Sequence, residues 1–298
     1  MNKQIAFLGL GLMGAPMTAN LARSGYPVKA WNRTANRPGV QVAASAGATI
    51  VSSIREAVET ADIVFSCVGD IPDVEEVILG AGGVAESARP GTLVIDTSTI
   101  GPSSARNIGE KLRKRHLRFL DAPLSGGDIG AKNGTLTIMV GGEVTDFEDS
   151  KPLLEVIGKT IRLCGAVGSG QAVKLCNQVL ASLHMVALCE AMELAKQQEI
   201  DPNLIIEVCG TGAAGSWALS NLGAKIVASD FQPGFAIKHI LKDLRLVQDT
   251  LKSGEALPGV ALADHLFKIV KELDGGMGGE LGTQAMIRAY LERVKGEA

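Results

Sequence analysis

An α/β domain on a largely parallel sheet, followed by an all-helical domain, is the fold class this sequence predicts. Three observations predict it. Up to about residue 165, short apolar runs alternate with helical patterns. After Gly170 the strand signal stops and helical periodicity alone remains. Glycine is abundant, 36 of 298 residues, and aromatics make up only 4%, as suits an α/β chain with many tight turns.

Taken in order, Ile5 to Leu8 is a short apolar run that ends at a glycine, and Met13 to Ala22 follows with helical spacing at Met13, Met17 and Leu21. Val28 to Trp31, Ile63 to Cys67, Leu93 to Ile95 and Phe119 to Leu120 continue the strand series. Between them Val40 to Ala46, Ser53 to Glu59, Pro72 to Leu79 and Pro102 to Arg115 read as helices. Ser53 with Glu56 fits a capping box, and Pro72 and Pro102 fit the first helical position. Uninterrupted apolar strands separated by helices imply a parallel sheet covered on both faces. Leu136 to Val140 and Ile161 to Cys164 are two more strands, with Thr145 and Glu148 capping a helix between them. Ala172 to Gln198 reads as one long helix, stopped by Asp201-Pro202. Helices are then expected at Asn203 to Cys209, Ser216 to Ala228, Ala236 to Lys252, Ala261 to Leu273 and Thr283 to Lys295. The expected division is residues 1–164 for a nucleotide-binding domain and 165–298 for a helical substrate and oligomerisation domain, linked by the long helix.

Composition removes several function classes. With 29 Lys+Arg against 32 Asp+Glu, net charge −3, the chain lacks the basic excess of a dedicated nucleic-acid binder. The five cysteines, Cys67, Cys164, Cys176, Cys189 and Cys209, form no C-x-x-C pair. They read as buried, reduced thiols of an intracellular protein. The uncharged run from Gln4 to Ala22 is broken by Gly9, Gly11, Gly14 and Pro16, so a chemical motif explains it better than a signal peptide. No other stretch reads as ~20 apolar residues, and a cytoplasmic protein without membrane partners is expected. Lys111 to Arg118 is a basic helix end. His184, His239 and His265 lack metal-ligand spacing, so no metal is expected.

Gly9-Leu10-Gly11-Leu12-Met13-Gly14 is G-x-G-x-x-G between a strand and a helix. The first glycine permits the tight turn, the second lets the backbone approach a pyrophosphate, and the third lets helix and strand pack closely. The helix N-terminus then offers free N–H groups to the phosphates. This is the opening of a Rossmann-type, doubly wound dinucleotide-binding domain. Its second strand ends in Trp31-Asn32-Arg33-Thr34, without the acid that bonds the ribose of NAD. Asn32 and Thr34 can hydrogen-bond a phosphate, and Arg33 can pair with it and stack on the adenine. NADP(H) is the expected cofactor; a solvated loop charge is the other reading of Arg33.

Four segments in order then resemble the β-hydroxyacid dehydrogenase family: Phe7 to Gly14 with Met17 and Asn20-Leu21; Asp121-Ala122-Pro123-Leu124-Ser125-Gly126-Gly127 with Gly130-Ala131 and Gly134-Thr135-Leu136; Gly168 through Lys174 to Asn177; and Phe235 through Lys238 to Lys242-Asp243-Leu244. The resemblance covers essentially the whole chain and is nearest to the glyoxylate/succinic semialdehyde reductase branch. On its own, Ser125-Gly126-Gly127 is either a plain turn or a segment aiming N–H groups and a hydroxyl at a carboxylate. The resemblance implies the latter. Lys174, Asn177 and Gln178 share one helix face, and Lys174 alone reads more readily as a lysine extending its head to water. The resemblance makes Lys174 the catalytic lysine, which stabilises the oxygen charge left by hydride transfer and donates the proton. Asn177 then holds the substrate oxygen or carboxylate. Gln178 stands where many relatives carry Asn, and its role is open.

By the same resemblance, Thr99 lies near the nicotinamide ribose or the substrate. Val68, Gly69, Asp73 and Lys242 contact the cofactor, and Asp243 joins the substrate residues. Phe235 either closes the pocket or packs in the core. The implied activity is NADPH-dependent reduction of small carboxylated aldehydes to hydroxy acids by a homodimer or homotetramer. A 3-hydroxyisobutyrate or tartronate semialdehyde type dehydrogenase is the nearest alternative. Imine reductases replace the lysine and resemble the chain less. A non-catalytic NADP(H)-binding sensor is the alternative outside enzymes, and the intact Ser125, Lys174 and Asn177 weigh against it.

Overall fold

The computed structural model describes residues 3–296, with side chains through residue 291. The chain divides into two compact units, Met1–Lys174 and Leu175–Ala298.

In the first unit the chain runs β1 (Ile5–Leu8), α1 (Gly14–Arg23), β2 (Val28–Trp31), α2 (Pro38–Ser45), β3 (Thr49–Ile50), α3 (Ile54–Val58), β4 (Ile63–Ser66), α4 (Ile71–Leu79), α5 (Val84–Ser87), β5 (Leu93–Asp96) and α6 (Gly101–Arg113). It continues through β6 (Arg118–Asp121), β7 (Leu124–Ser125), α7 (Gly127–Asn133), β8 (Leu136–Gly141), α8 (Val144–Ile157) and β9 (Gly158–Gly165) into the long α9 (Ser169–Gln197). The sheet order is β3-β2-β1-β4-β5-β6-β8-β7, with β9 also paired to β8. All pairs from β3 to β6 are parallel. Strand order reverses beside β1, between β2 and β4, so this is the doubly wound Rossmann arrangement with its crevice at the carboxyl ends of β1 and β4.

Side chains alternate across the strands, and both faces are covered. Ile5, Phe7, Ile63, Phe65, Leu93 and Ile95 pack with Met17 and Leu21 of α1 and Leu153, Leu154 and Ile157 of α8. Ala6, Leu8, Val64 and Val94 pack instead with Val58 of α3, Val74 and Ile78 of α4 and Ile108 and Leu112 of α6. Phe7 and Phe65 stack with ring centroids 5.7 Å apart.

Several local expectations change. β8 runs antiparallel to β6 and β7, a direction that apolar runs alone do not encode. Thr145 does not cap α8. That helix starts from Glu143 without a side-chain cap, directly after Gly142 turns the chain out of β8 at φ +152°. At α4 the cap is Asp70, in a capping box with Asp73. Only Cys189 among the cysteines is fully buried, where burial pushes its thiol well above the ordinary range. Cys176 is exposed, and Cys67, Cys164 and Cys209 are half-buried, so buried packing does not describe the set. The helix α9 is long and apolar enough to cross a bilayer by length and composition alone, although Gln171, Lys174 and Gln178 are buried along it.

The second unit continues α9 and adds α10 (Pro202–Gly210), α11 (Trp217–Val227), α12 (Ile237–Asp249), α13 (Pro258–Glu272) and α14 (Ile287–Gly296). Asp201 and Ser216 cap α10 and α11 through their side chains. Ile237, Ile240, Leu244 and Val247 form the buried stripe of α12, and Val260, Ala263, Phe267 and Val270 that of α13. The segment expected as one helix from Thr283 is a 3-10 turn, Thr283–Met286, that passes into α14.

Candidate active site

The carboxyl ends of β2, β1, β4 and β5 stand side by side, and loops with polar groups leave each one. Gly9 follows β1 at φ +100°, and a Cβ there would come within 2.3 Å of the Cys67 carbonyl oxygen. A Cβ on Gly14 would meet the Gly9 carbonyl oxygen at 1.9 Å, so the start of α1 lies directly on the turn. Gly11 differs: it is exposed, and an added Cβ meets nothing within 4 Å. Leu10 is buried, Met13 half-buried and Leu12 exposed. The bare backbone at Gly11, beside the N-terminus of α1, fits a dinucleotide pyrophosphate.

The loop after β2 is tied to this turn. Leu10 N–H donates to Asn32 Oδ1 at 2.8 Å, and Asn32 Nδ2 donates to the Thr34 carbonyl at 2.8 Å. Asn32 is thus occupied in bracing the loop, and Thr34 is exposed beside it. Arg33 Nη1 reaches Asp73 Oδ1 at 2.8 Å and Glu76 Oε2 at 3.4 Å. The hydrogen bond and charge of Asp73, then Glu76, hold the guanidinium above its ordinary pKa. The expected cofactor residues Arg33 and Asp73 therefore meet each other. Gly69 lies against Asp73, and Val68 N–H donates to Ser98 Oγ at 3.0 Å. Ser98 Oγ in turn donates to the buried Asp96 Oδ1 at 2.7 Å, as does Ser66 Oγ at 2.8 Å. Thr99 follows Ser98, half-buried, at the same end of the sheet.

At the end of β6, Asp121 is fully buried. Its carboxylate accepts Gly168 N–H at 2.6 Å and Gln171 N–H at 2.9 Å, which satisfies free donors at the start of α9. Burial raises its pKa to about 6, opposed by those two hydrogen bonds. Gln171, also fully buried, accepts Ile100 and Gly101 N–H at 3.0 and 3.1 Å and donates to the Ser98 carbonyl at 2.8 Å. These two side chains fasten the first turn of α9 to the sheet. Lys174 follows within the next turn of that helix and is only 6% exposed. Ser125 pairs with Thr137 on β8, and Gly126 and Gly127 follow at φ +129° and +62°, which favours glycine.

In the second unit a chain of polar contacts begins three residues after Lys174. Asn177 Nδ2 donates to Gln178 Oε1 at 2.8 Å, and Gln178 Nε2 donates to Asp243 Oδ2 at 2.5 Å. Lys242 Nζ lies 2.8 Å from Asp243 Oδ1. Gln178 and Asp243 are buried, and Gln178 bridges Asn177 to Asp243. Phe235 is apart from this chain and stacks on His239, centroids 6.0 Å apart. Burial, then the charges of Lys238 and Lys242, lower the His239 pKa. Among the described residues no group of three His, Cys, Asp or Glu could hold a metal ion. Sequence reasoning did not single out the roles of Asp121, Gln171 or Glu76. For Asp121 and Gln171 the available signal was their place inside the quoted motifs; Glu76 carried none.

A family model described as the NAD binding domain of 6-phosphogluconate dehydrogenase matches residues 4–168. Another, described as the NAD-binding region of NADP-dependent 3-hydroxyisobutyrate dehydrogenase, matches residues 168–290. An uncharacterised oxidoreductase of Synechocystis is 54% identical over 289 residues, covering 97% of this chain and 98% of the relative. The 2-hydroxy-3-oxopropionate reductase of Escherichia coli is 36% identical over 96% of each chain. The solved 3-hydroxyisobutyrate dehydrogenase of Mycobacterium tuberculosis with L-serine has a TM-score of 0.86 and 32% identity, covering 97% of this chain and 99% of that one. With the doubly wound sheet and the nucleotide turn, these matches identify an NAD(P)-binding oxidoreductase, and the chain belongs to the β-hydroxyacid dehydrogenase family.

Proposed function

We propose that this protein is an NADPH-dependent reductase of small carboxylated aldehydes, such as succinic semialdehyde, glyoxylate or 2-hydroxy-3-oxopropionate, yielding hydroxy acids. One observation carries the reading: a lysine buried to 6% exposure, Lys174, follows the turn of α9 that Asp121 and Gln171 fasten to the sheet. Lysine is among the residues least often buried. A positioned ammonium in a water-poor site is what a developing alkoxide requires.

The nicotinamide, when bound, supplies the hydride. Gly9 to Gly14 cradle the pyrophosphate, and Arg33 pairs with the 2′-phosphate from a loop braced by Asn32 beside Thr34. Val68, Gly69, Asp73, Thr99 and Lys242 complete the cofactor contacts. Ser125, Gly126 and Gly127 hold the substrate carboxylate through the hydroxyl and N–H groups. Lys174 stabilises charge on the substrate oxygen and donates its proton to it. In the reverse direction the neutral amine takes the proton back. Asn177 orients the substrate oxygen, kept in place by Gln178 and Asp243, and Phe235 borders the substrate. Residues 1–164 serve the nucleotide, and the helical remainder serves substrate and self-association.

NADPH consumption against short aldehydes with and without a terminal carboxylate, repeated with NADH, tests the reading. Turnover confined to carboxylated aldehydes and faster with NADPH is expected. No turnover with any of them despite nucleotide binding would refute it. One observation favours a second reading, an NAD-dependent 3-hydroxyisobutyrate type dehydrogenase: Arg33 is already engaged by two acids. The ratio of kcat/KM for the two cofactors decides between them.

The exposed apolar side chains Leu180, Leu194, Leu204, Val208 and Trp217 support a homodimer or homotetramer, and a cytoplasmic location remains part of the proposal. A monomeric mass by light scattering would refute the assembly.

A further inference from the structure

Two carboxylates reach Arg33 from α4, and they differ in how they are held. Asp73 is fixed. Its Oδ2 accepts Asp70 N–H at 3.2 Å, and a Cβ on Gly69 would come within 2.6 Å of that oxygen. Its Oδ1 is thereby presented to Arg33 Nη1. Glu76 lies three residues on, takes no part in the cap, and is 67% exposed on its side chain. Both contacts fall on Nη1, so the Nε–Nη2 edge is the one that offers a bidentate fork to a phosphate. The local balance is one positive charge against two negative ones.

Building on the NADP(H) reading above, we propose that Glu76, together with Asp73, determines cofactor specificity by opposing the 2′-phosphate at Arg33. A 2′-phosphate gains the guanidinium and also meets the two carboxylates behind it. The ribose hydroxyls of NADH carry no charge and meet no such opposition. Asp73 sets where Arg33 stands, and Glu76 sets how much positive field is left. The acids thus hold NADPH preference below what the arginine alone would give. Because the cluster is exposed, the opposition is screened by salt.

The test uses the full chain and the dissociation constants of NADPH and NADH, read by nicotinamide fluorescence, for wild type, Glu76→Gln and Arg33→Ala. Glu76→Gln keeps shape and removes the charge. It is expected to tighten NADPH about threefold or more at low salt, to leave NADH unchanged, and to lose most of the gain near 1 M salt, where the Debye length is about 3 Å. Unchanged or weaker NADPH binding, or equal tightening of both cofactors, overturns the proposal. Arg33→Ala separates the two readings. Selective loss of NADPH with no effect of Glu76→Gln removes the role of Glu76 and leaves the NADP(H) reading standing. Equal effects of Arg33→Ala on both cofactors, or none on either, remove both.

Discussion

Replacing Gln171 by leucine tests how the long helix is fastened to the sheet. The side chain is fully buried and makes three hydrogen bonds, two accepted from Ile100 and Gly101 N–H and one donated to the Ser98 carbonyl. Leucine is similar in volume, so little cavity cost is added. Three backbone groups lose their partner, and each buried group left unpaired costs about 1–3 kcal/mol. They share one side chain and relax together, so the costs do not add in full. A total of about 3–5 kcal/mol follows, a large fraction of the roughly 5–15 kcal/mol that holds an ordinary domain folded. Trp31 and Trp217 are the only tryptophans, and Trp31 lies on β2. In a Trp217→Phe background, fluorescence in urea therefore reports on the sheet unit. The expected fall in midpoint is about 1–2 M for an m-value near 2–3 kcal/mol/M. A loss below about 1 kcal/mol would mean that those groups find other partners and that Gln171 is not the fastening.

Lys174→Ala should lower kcat by at least ~10²-fold, the scale of a lost proton donor, while NADPH titration shows binding retained; near-normal turnover would remove Lys174 from the chemistry. Gly11→Ala should fold with wild-type or slightly higher stability and bind NADPH poorly, whereas Gly14→Ala should lose stability as well, because its Cβ would collide with the Gly9 carbonyl. Thermal melts with and without nucleotide separate the two, and equal melting losses would contradict the assignment. Asp121 binds its proton more tightly folded, at about 6, than unfolded, at about 3.9. Its contribution is therefore complete below about pH 4 and lost as pH rises through about 6. Against Asp121→Asn, wild type should gain on the order of 2 kcal/mol between about pH 7.5 and 4.5, and a stability gap independent of pH would refute the shift.

What was legible in the sequence follows from the range of each interaction. The core strands β1, β4 and β5 begin with three or more apolar residues and are buried at every position, so a local run reveals them; β2 is buried only at Val28 and Ala30. β3 has two exposed residues and no such run. α7 contains Gly127 and Gly130, which mask its helical pattern. The nucleotide turn was legible because strand, glycines and helix are contiguous. The groups that brace the site were not, because each works across a long separation. Asp121 reaches residues 47 and 50 positions away, Gln171 reaches 70 to 73, Glu76 reaches 43, and Gln178 reaches 65. No periodicity encodes such a contact. Thr145 shows the converse error: a sound local cap signal was overridden by the turn at Gly142.

The three fingerprint glycines separate what the fold requires from what it leaves open. Gly9 and Gly14 are demanded by the protein itself, since a side chain on either would strike backbone. Gly11 is not: its φ lies outside the left-handed region and its surroundings are empty. At such a position alanine would stabilise the chain by about 0.4–1 kcal/mol through the unfolded state. The fold therefore gives no reason for glycine there, and a reason must come from something that approaches the backbone. Lys174, only 6% exposed, is likewise of a residue type seldom found buried. Gly11 lies between the end of β1 and the start of α1, where a doubly wound sheet binds its ligand, and Lys174 lies in the second turn of α9. Substitutions at Gly11 and at Lys174 are therefore the paired test of the proposed site: the first should cost nucleotide binding without costing stability, the second turnover without costing nucleotide binding.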